Sequence, residues 1–89
     1  MEYGGIVATR GIVDKMEECA AFCDDVQLAL FRYFDGDWGE LCEEDKEANE
    51  WAVHNAERVL AAYNTCEGKI WIITEWDRSA TTILFPEEY

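Results

Sequence analysis

The sequence predicts an α+β domain: a small four-stranded, mainly antiparallel sheet with two helices, in the order β-α-α-β-β-β. Three observations predict it. Apolar residues recur at helical spacing across residues 14–34. β-Branched and aromatic residues crowd residues 69–76 and 81–85. Clusters of turn-forming residues separate those runs. With 89 residues, 49% of them hydrophobic, the chain can fill one core but not two, so residues 1–89 are expected to form a single acidic domain.

Residues 4–10 (Gly-Gly-Ile-Val-Ala-Thr-Arg) form a short β-branched run closed by Gly11, which fits a strand at or near a sheet edge. Asp14 and Glu17 have the spacing of a capping pair. Cys19, Phe22, Cys23, Val26, Leu30 and Phe34 then recur on one helical stripe, so one long amphipathic helix is expected over residues 14–34. Gly36 and Gly39 stop it, glycine being the usual residue beyond a helix C-terminus.

Glu43–Asn55 has one β-branched residue, Val53, and is rich in Glu, Lys and Ala, with Ala48, Trp51, Ala52 and Asn55 to one side; this is a second, more exposed helix. Residues 57–63 fit either a continuation of that helix or a strand. Strand is preferred because Asn64-Thr65-Cys66-Glu67-Gly68 is a compact turn cluster and residues 69–76 carry the strongest β signal, so the two runs make a hairpin. Asp77-Arg78-Ser79 is a second turn, and residues 81–85 form a last strand stopped by Pro86. The expected core includes Phe22, Val26, Leu30, Ile72 and Ile83. Strand 69–76 is apolar on both faces, Ile70, Ile72 and Trp76 on one, Trp71 and Ile73 on the other. Helices cover one face; a second copy of the chain, forming a homodimer through the sheet, or a partner is expected to cover the other.

Twenty Asp and Glu against seven Lys and Arg give a net charge of -13. Such a surface repels phosphate backbones, which excludes direct DNA or RNA binding. Four Trp, four Tyr and four Phe are too many for a disordered acidic tail, which lacks the apolar surface that offsets ordering entropy. No apolar run approaches the roughly 20 residues of a membrane helix, and Met1-Glu2-Tyr3-Gly4-Gly5 lacks the basic and apolar blocks of a signal peptide. A cytoplasmic protein is expected, with Cys19, Cys23, Cys42 and Cys66 as thiols.

The densest signal lies in residues 35–50. Asp35, Asp37, Glu40, Glu43, Glu44, Asp45, Glu47 and Glu50 face Lys46 alone, a net -7 in sixteen residues. Glu43, Glu47 and Glu50 share a helix face, where like charges repel by a few tenths of a kcal/mol per pair. The plain reading is a solvated surface that aids solubility. The sharper reading is a partner-binding face that imitates the phosphate rows of a duplex, with Trp38 as an aromatic anchor.

Other chemistry is weakly signalled. Asp35-Gly36-Asp37 begins like a calcium loop, but Gly39 and Lys46 stand where an EF-hand needs an Asp or Asn and the bidentate Glu. Cys19 and Cys23, one turn apart, could share zinc with Cys42, Cys66 or His54, yet the spacing matches no finger or ribbon, and both lie on the apolar stripe, which favours core packing. His54 is the only histidine, in an exposed polar helix, and neither Ser79 nor Cys42 has a nucleophile signature around it. No enzymatic function, metal or cofactor is expected.

The stretches Gly36-Asp37-Trp38-Gly39-Glu40-Leu41-Cys42-Glu43-Glu44-Asp45 and Ile72-Ile73-Thr74-Glu75-Trp76-Asp77-Arg78-Ser79-Ala80-Thr81-Thr82-Ile83-Leu84-Phe85-Pro86-Glu87-Glu88-Tyr89 resemble a family of small acidic proteins carried on plasmids, phages and integrative elements of gut Firmicutes. The resemblance extends over most of the chain from Ile6 onward and implies a mobile-element context, in which antirestriction and anti-CRISPR inhibitors occur, several of them DNA mimics. It implies no catalytic residues. By this analogy the expected function is inhibition of a host nucleic-acid-binding defence complex, the partner being a basic nucleic-acid-binding protein. The alternative is an interaction or regulatory module of a mobile element whose acidity serves only solubility.

Overall fold

A computed structural model describes residues 1–89. Strand β1 (Gly5–Ala8) leads into helices α1 (Arg10–Glu18), α2 (Ala20–Phe34) and α3 (Glu43–Asn55), followed by strands β2 (Val59–Thr65), β3 (Gly68–Thr74) and β4 (Ala80–Leu84) and a 3-10 turn at Pro86–Glu88. The sheet order is β1-β4-β3-β2. β2 and β3 form the expected hairpin, antiparallel from Val59↔Thr74 to Thr65↔Gly68, which resolves residues 57–63 in favour of strand. β3 and β4 are also antiparallel, but β1 pairs in parallel with β4, from Gly5↔Ala80 to Ala8↔Ile83. The class is therefore α+β as expected, with a mixed sheet and three helices rather than two.

The third helix arises because the long helix expected over residues 14–34 is two. Cys19 is extended, at φ -139° and ψ 108°, and divides α1 from α2. No glycine or proline marks that break. The first strand is also shorter than expected: Thr9 is the N-cap of α1, and Gly11 lies inside the helix instead of closing the strand. The cause is distant in sequence. The Glu88 carboxylate accepts from Thr9 Oγ1 (2.6 Å) and from Gly11 N (3.1 Å), so the chain's last turn supplies the acceptor that an α1 N-terminus requires.

α2 lays Phe22, Val26, Ala29 and Tyr33 against Val59, Ala61, Tyr63, Ile70, Ile72 and Ile83 on the inner face of the sheet, with Ile12 of α1 beside them. The stripe is rotated from the expected one: Tyr33 is buried, Leu30 is half-buried and Phe34 is exposed. Phe22 stacks on Phe85 with centroids 5.6 Å apart. One polar chain crosses this core, and its direction follows from counting protons. Thr81 Oγ1 donates to the Tyr3 carbonyl (2.7 Å), so Thr74 Oγ1 donates to Thr81 (2.8 Å), and Tyr33 in turn donates its hydroxyl to Thr74. Burial pushes the Tyr33 hydroxyl up to about 12, which keeps it a donor throughout the ordinary pH range.

The outer face of the sheet is partly closed by the chain itself. Ile73 is only 2% exposed, and Trp71 is half-buried with the Tyr89 ring meeting it edge-on at 5.7 Å; the Arg58 guanidinium lies over Tyr89 at 5.0 Å. Trp76, placed on the inner face by alternation, falls beyond the end of β3 and is exposed. No helix is long and apolar enough to cross a membrane.

Candidate acidic interface

The acidic segment divides into two parts with different fates. The connection from α2 to α3 begins where Asp35 caps α2, its N–H donating to the carbonyls of Phe31 and Arg32, and Gly36 adopts the left-handed φ of +79° that turns the chain. Asp37 then points back. Its Oδ2 accepts from Arg32 Nε at 2.7 Å, and its Oδ1 accepts from Arg32 Nη2 at 3.3 Å and from Gly39 N at 3.0 Å. The Arg32 guanidinium, and after it the Gly39 N–H, hold the Asp37 carboxyl below the usual carboxylate range. With both oxygens engaged in this way, the calcium-like start of the loop is a structural knot.

Trp38 is the largest departure from expectation at this site. It is buried, 6% exposed, and packs edge-on against Tyr33 at 5.5 Å, while its indole Nε1 donates to Glu50 Oε1 at 2.8 Å. It is a core residue rather than an exposed anchor. Gly39 follows at φ +76°, where a Cβ would stand 2.0 Å from the Ala62 carbonyl oxygen and 2.7 Å from the Tyr63 ring. This close approach lets Gly39 bridge to Ala62 and Glu40 N donate to the Ala62 carbonyl at 2.7 Å, so the connection borders the β2 edge. Tyr63 locks it by donating its hydroxyl to the Asp37 carbonyl (2.7 Å), beneath Arg32, which lies 5.1 Å over the Tyr63 ring.

The second part is α3. Its N-cap, Cys42, offers no side-chain hydrogen bond, and Glu43, Glu44 and Asp45 occupy the first turn, where the positive end of the helix dipole favours carboxylates. Lys46 Nζ approaches Glu43 Oε1 at 3.8 Å. The inward side is fixed by Asn49, which donates to the Leu60 carbonyl at 2.8 Å, and by buried Ala52. Arg78 secures the far end by donating to the carbonyls of Ala52, Glu57 and Glu75. Outward, Glu40, Glu43, Glu44, Asp45 and Glu47 are exposed. Asp35 and Glu50 are exposed as well, flanking an open depression of about 230 Å³ whose walls include Tyr3, Tyr33, Phe34 and Trp38.

Of the seven Lys and Arg, Lys46 alone offsets the outer side of α3, Lys69 on β3 forms no ion pair, and the rest are committed elsewhere. Arg10 pairs with Asp14, Lys15 with Glu18 and Glu67, Arg32 with Asp37, Lys46 with Glu43 and Arg58 with Glu75, while Arg78 serves backbone carbonyls. The residues considered for nucleophilic chemistry do not converge: His54 and Cys42 lie at opposite ends of α3, and Ser79 lies in the β3–β4 turn, all three exposed. Of the cysteines weighed for zinc, two come together, with Glu67 rather than Cys23 beside them. Cys19, at the helix break, meets Cys66 and Glu67 of the β2–β3 turn, with one ligand atom of each within 4.8 Å of the others. Comparison with family models, with curated proteins and with solved structures finds no match to this chain.

Proposed function

We propose that this chain is a non-enzymatic, cytoplasmic inhibitor of a host nucleic-acid-binding defence complex, of the anti-CRISPR or antirestriction kind, that occupies a basic groove through its acidic face. The observation that carries this reading is the exposed carboxylate row on α3. Five carboxylates against Lys46 fall within residues 43–50, counting Glu50, one of whose oxygens also accepts from Trp38. At about 1.5 Å rise per residue that is roughly one net charge per 3 Å, near the roughly 3.4 Å per phosphate along one strand of a duplex. A groove built to release counterions from phosphates gains from this row in the same way. The depression beside it adds a seat for one lysine or arginine side chain of the partner, with Asp35 and Glu50 supplying charge and the aromatic walls supplying cation–π attraction.

The test is phage plating on bacteria that carry a single active CRISPR or restriction system, with and without this protein. Wild type should restore plating against at least one system, and Glu43→Lys/Glu44→Lys/Glu47→Lys should abolish the rescue while circular dichroism stays unchanged. Rescue undiminished by the triple variant would remove the acidic face from the mechanism.

One observation favours the second reading, an interaction module whose charge serves solubility. α2 exposes Leu28 and Phe31, 58% and 67%, on its outer side. Binding through that stripe would persist in high salt, whereas binding through carboxylates would weaken steeply.

A further inference from the structure

We propose that Cys19, Cys66 and Glu67 form a binding site for a thiophilic divalent cation, zinc foremost. Two thiols and a carboxylate are a donor set that zinc takes from proteins, with sulfur at about 2.3 Å and oxygen at about 2.0–2.2 Å from the metal. A tetrahedral site of those dimensions places its sulfurs about 3.7 Å apart. The three donor atoms already lie within 4.8 Å of one another, so small side-chain rotations close the set. Water would complete four-coordination.

The elements that carry these donors are held together before any ion arrives. Asp25, on α2, accepts from Cys66 N at 2.8 Å and so fastens the β2–β3 turn to the helix. Thr65 Oγ1 accepts from Glu67 N (3.1 Å) and donates to the Gly68 carbonyl (2.6 Å), which fixes the turn itself. Lys15, on α1, reaches Glu67 at 3.4 Å. Cys19 stands in the extended break between α1 and α2, beside that turn. Two segments far apart in sequence, residues 15–25 and the β2–β3 turn, thus meet at one point, and a bound ion would bridge the helix break to the hairpin. Each thiol gives its proton to solvent as its thiolate enters the coordination shell. Cys23 and Cys42 stand outside the group.

Cobalt titration of the reduced, metal-free full chain tests this, because thiolate-to-cobalt charge transfer reports sulfur ligation and the visible bands report tetrahedral geometry. One equivalent should bind with both signatures, zinc should displace it, and zinc should raise the melting temperature. Cys66→Ser, in the exposed turn, should weaken cobalt binding at least about tenfold and Glu67→Gln should also weaken it. Cys23→Ser and Cys42→Ser should bind as wild type does. Absence of the charge-transfer band at millimolar cobalt, or equal weakening by Cys42→Ser and Cys66→Ser, would overturn the assignment. Cys19→Ser tests the second thiol ligand, and should it fail to fold, the cobalt affinity of Cys66→Ser decides whether sulfur ligates here.

Discussion

Two neighbouring stretches of the same acidic segment use their carboxylates in opposite ways. In residues 35–39, with Glu50, acid groups are internal fasteners: Asp37 holds Arg32 and the Gly39 N–H, and Glu50 takes the indole proton of buried Trp38. In the first turns of α3, Glu43, Glu44, Asp45 and Glu47 project into water, and only Glu43 has a cation nearby. Charge density in a sequence therefore does not locate a binding face. The proposed face is limited to carboxylates the fold leaves unengaged, which shortens an apparent sixteen-residue patch to Glu40 and the outer side of α3, with Asp35 and the free side of Glu50 at its margin.

Releasing the fastener region is the most disruptive perturbation of this division, and Gly39 is its tightest point. Gly39→Ala forces a Cβ into the Ala62 carbonyl and an alanine into φ +76°. Backbone strain and overpacking together should cost roughly 4 kcal/mol, read as a lowered midpoint in urea unfolding. A loss below about 1 kcal/mol would mean that the connection moves away from β2 without penalty. Gly36→Ala is the matched control, since φ is +79° there but no atom lies within 4 Å of the added Cβ. It should cost only the conformational part, about 1 kcal/mol.

A weaker effect comes from acid. The Asp37 carboxyl is depressed in the folded state, so the stability it contributes is present above its unfolded pKa of about 3.9 and is lost as pH falls from there through the folded value. Arg32 and Asp37 are 34% and 47% exposed, which limits that contribution to less than about 1 kcal/mol. Asp37→Asn should therefore destabilise slightly at pH 7 and flatten the acid limb of a stability-against-pH curve. Glu88 shares the limb. Burial works to raise its carboxyl, but hydrogen bonds from Thr9 and from the backbone of Phe85 and Gly11 outweigh it and leave it depressed. The Asp37→Asn curve should keep the Glu88 part of the slope, and only the double variant with Glu88→Gln should lose both. An acid limb unchanged in Asp37→Asn would show that the ion pair does not outlast solvent screening.

The sequence was most legible where structure is local. The β2–β3 hairpin was carried by Asn64-Thr65-Cys66-Glu67-Gly68 between two β-rich runs, and α3 matches Glu43–Asn55 residue for residue because propensity and its flanking loops agree there. Illegible features depend on residues far apart. The Cys19 break has no glycine or proline, and α1 starts early because Glu88, from the chain's end, meets its first turn. The parallel place of β1 beside β4 is set by two segments with most of the chain between them. At the site, the acids were legible as a cluster, but their division was not. The burial of Trp38 depends on the sheet that follows it, and Cys19 meets Cys66 only once both helices and the hairpin are in place.

The smallest expected effect lies within α3 itself, where two neutralisations should have opposite signs. Glu44 sits in the first turn, so Glu44→Gln removes a charge that the helix dipole favours, a loss of about 0.3–1 kcal/mol at low salt. Glu47 lies beyond that turn and within one turn of Glu43, Glu44 and Glu50, so Glu47→Gln removes three like-charge contacts, each worth about 0.2 kcal/mol at the weak end of such pairs, and should stabilise by about half a kcal/mol. Repeated urea melts at low ionic strength resolve that difference as a pair, and about 1 M salt should collapse it. Destabilisation of equal size by both variants would mean that Glu47 has an attractive partner on the folded surface. Its carboxylate would then belong with the fasteners, and the row offered to a basic groove would shrink to the start of the helix.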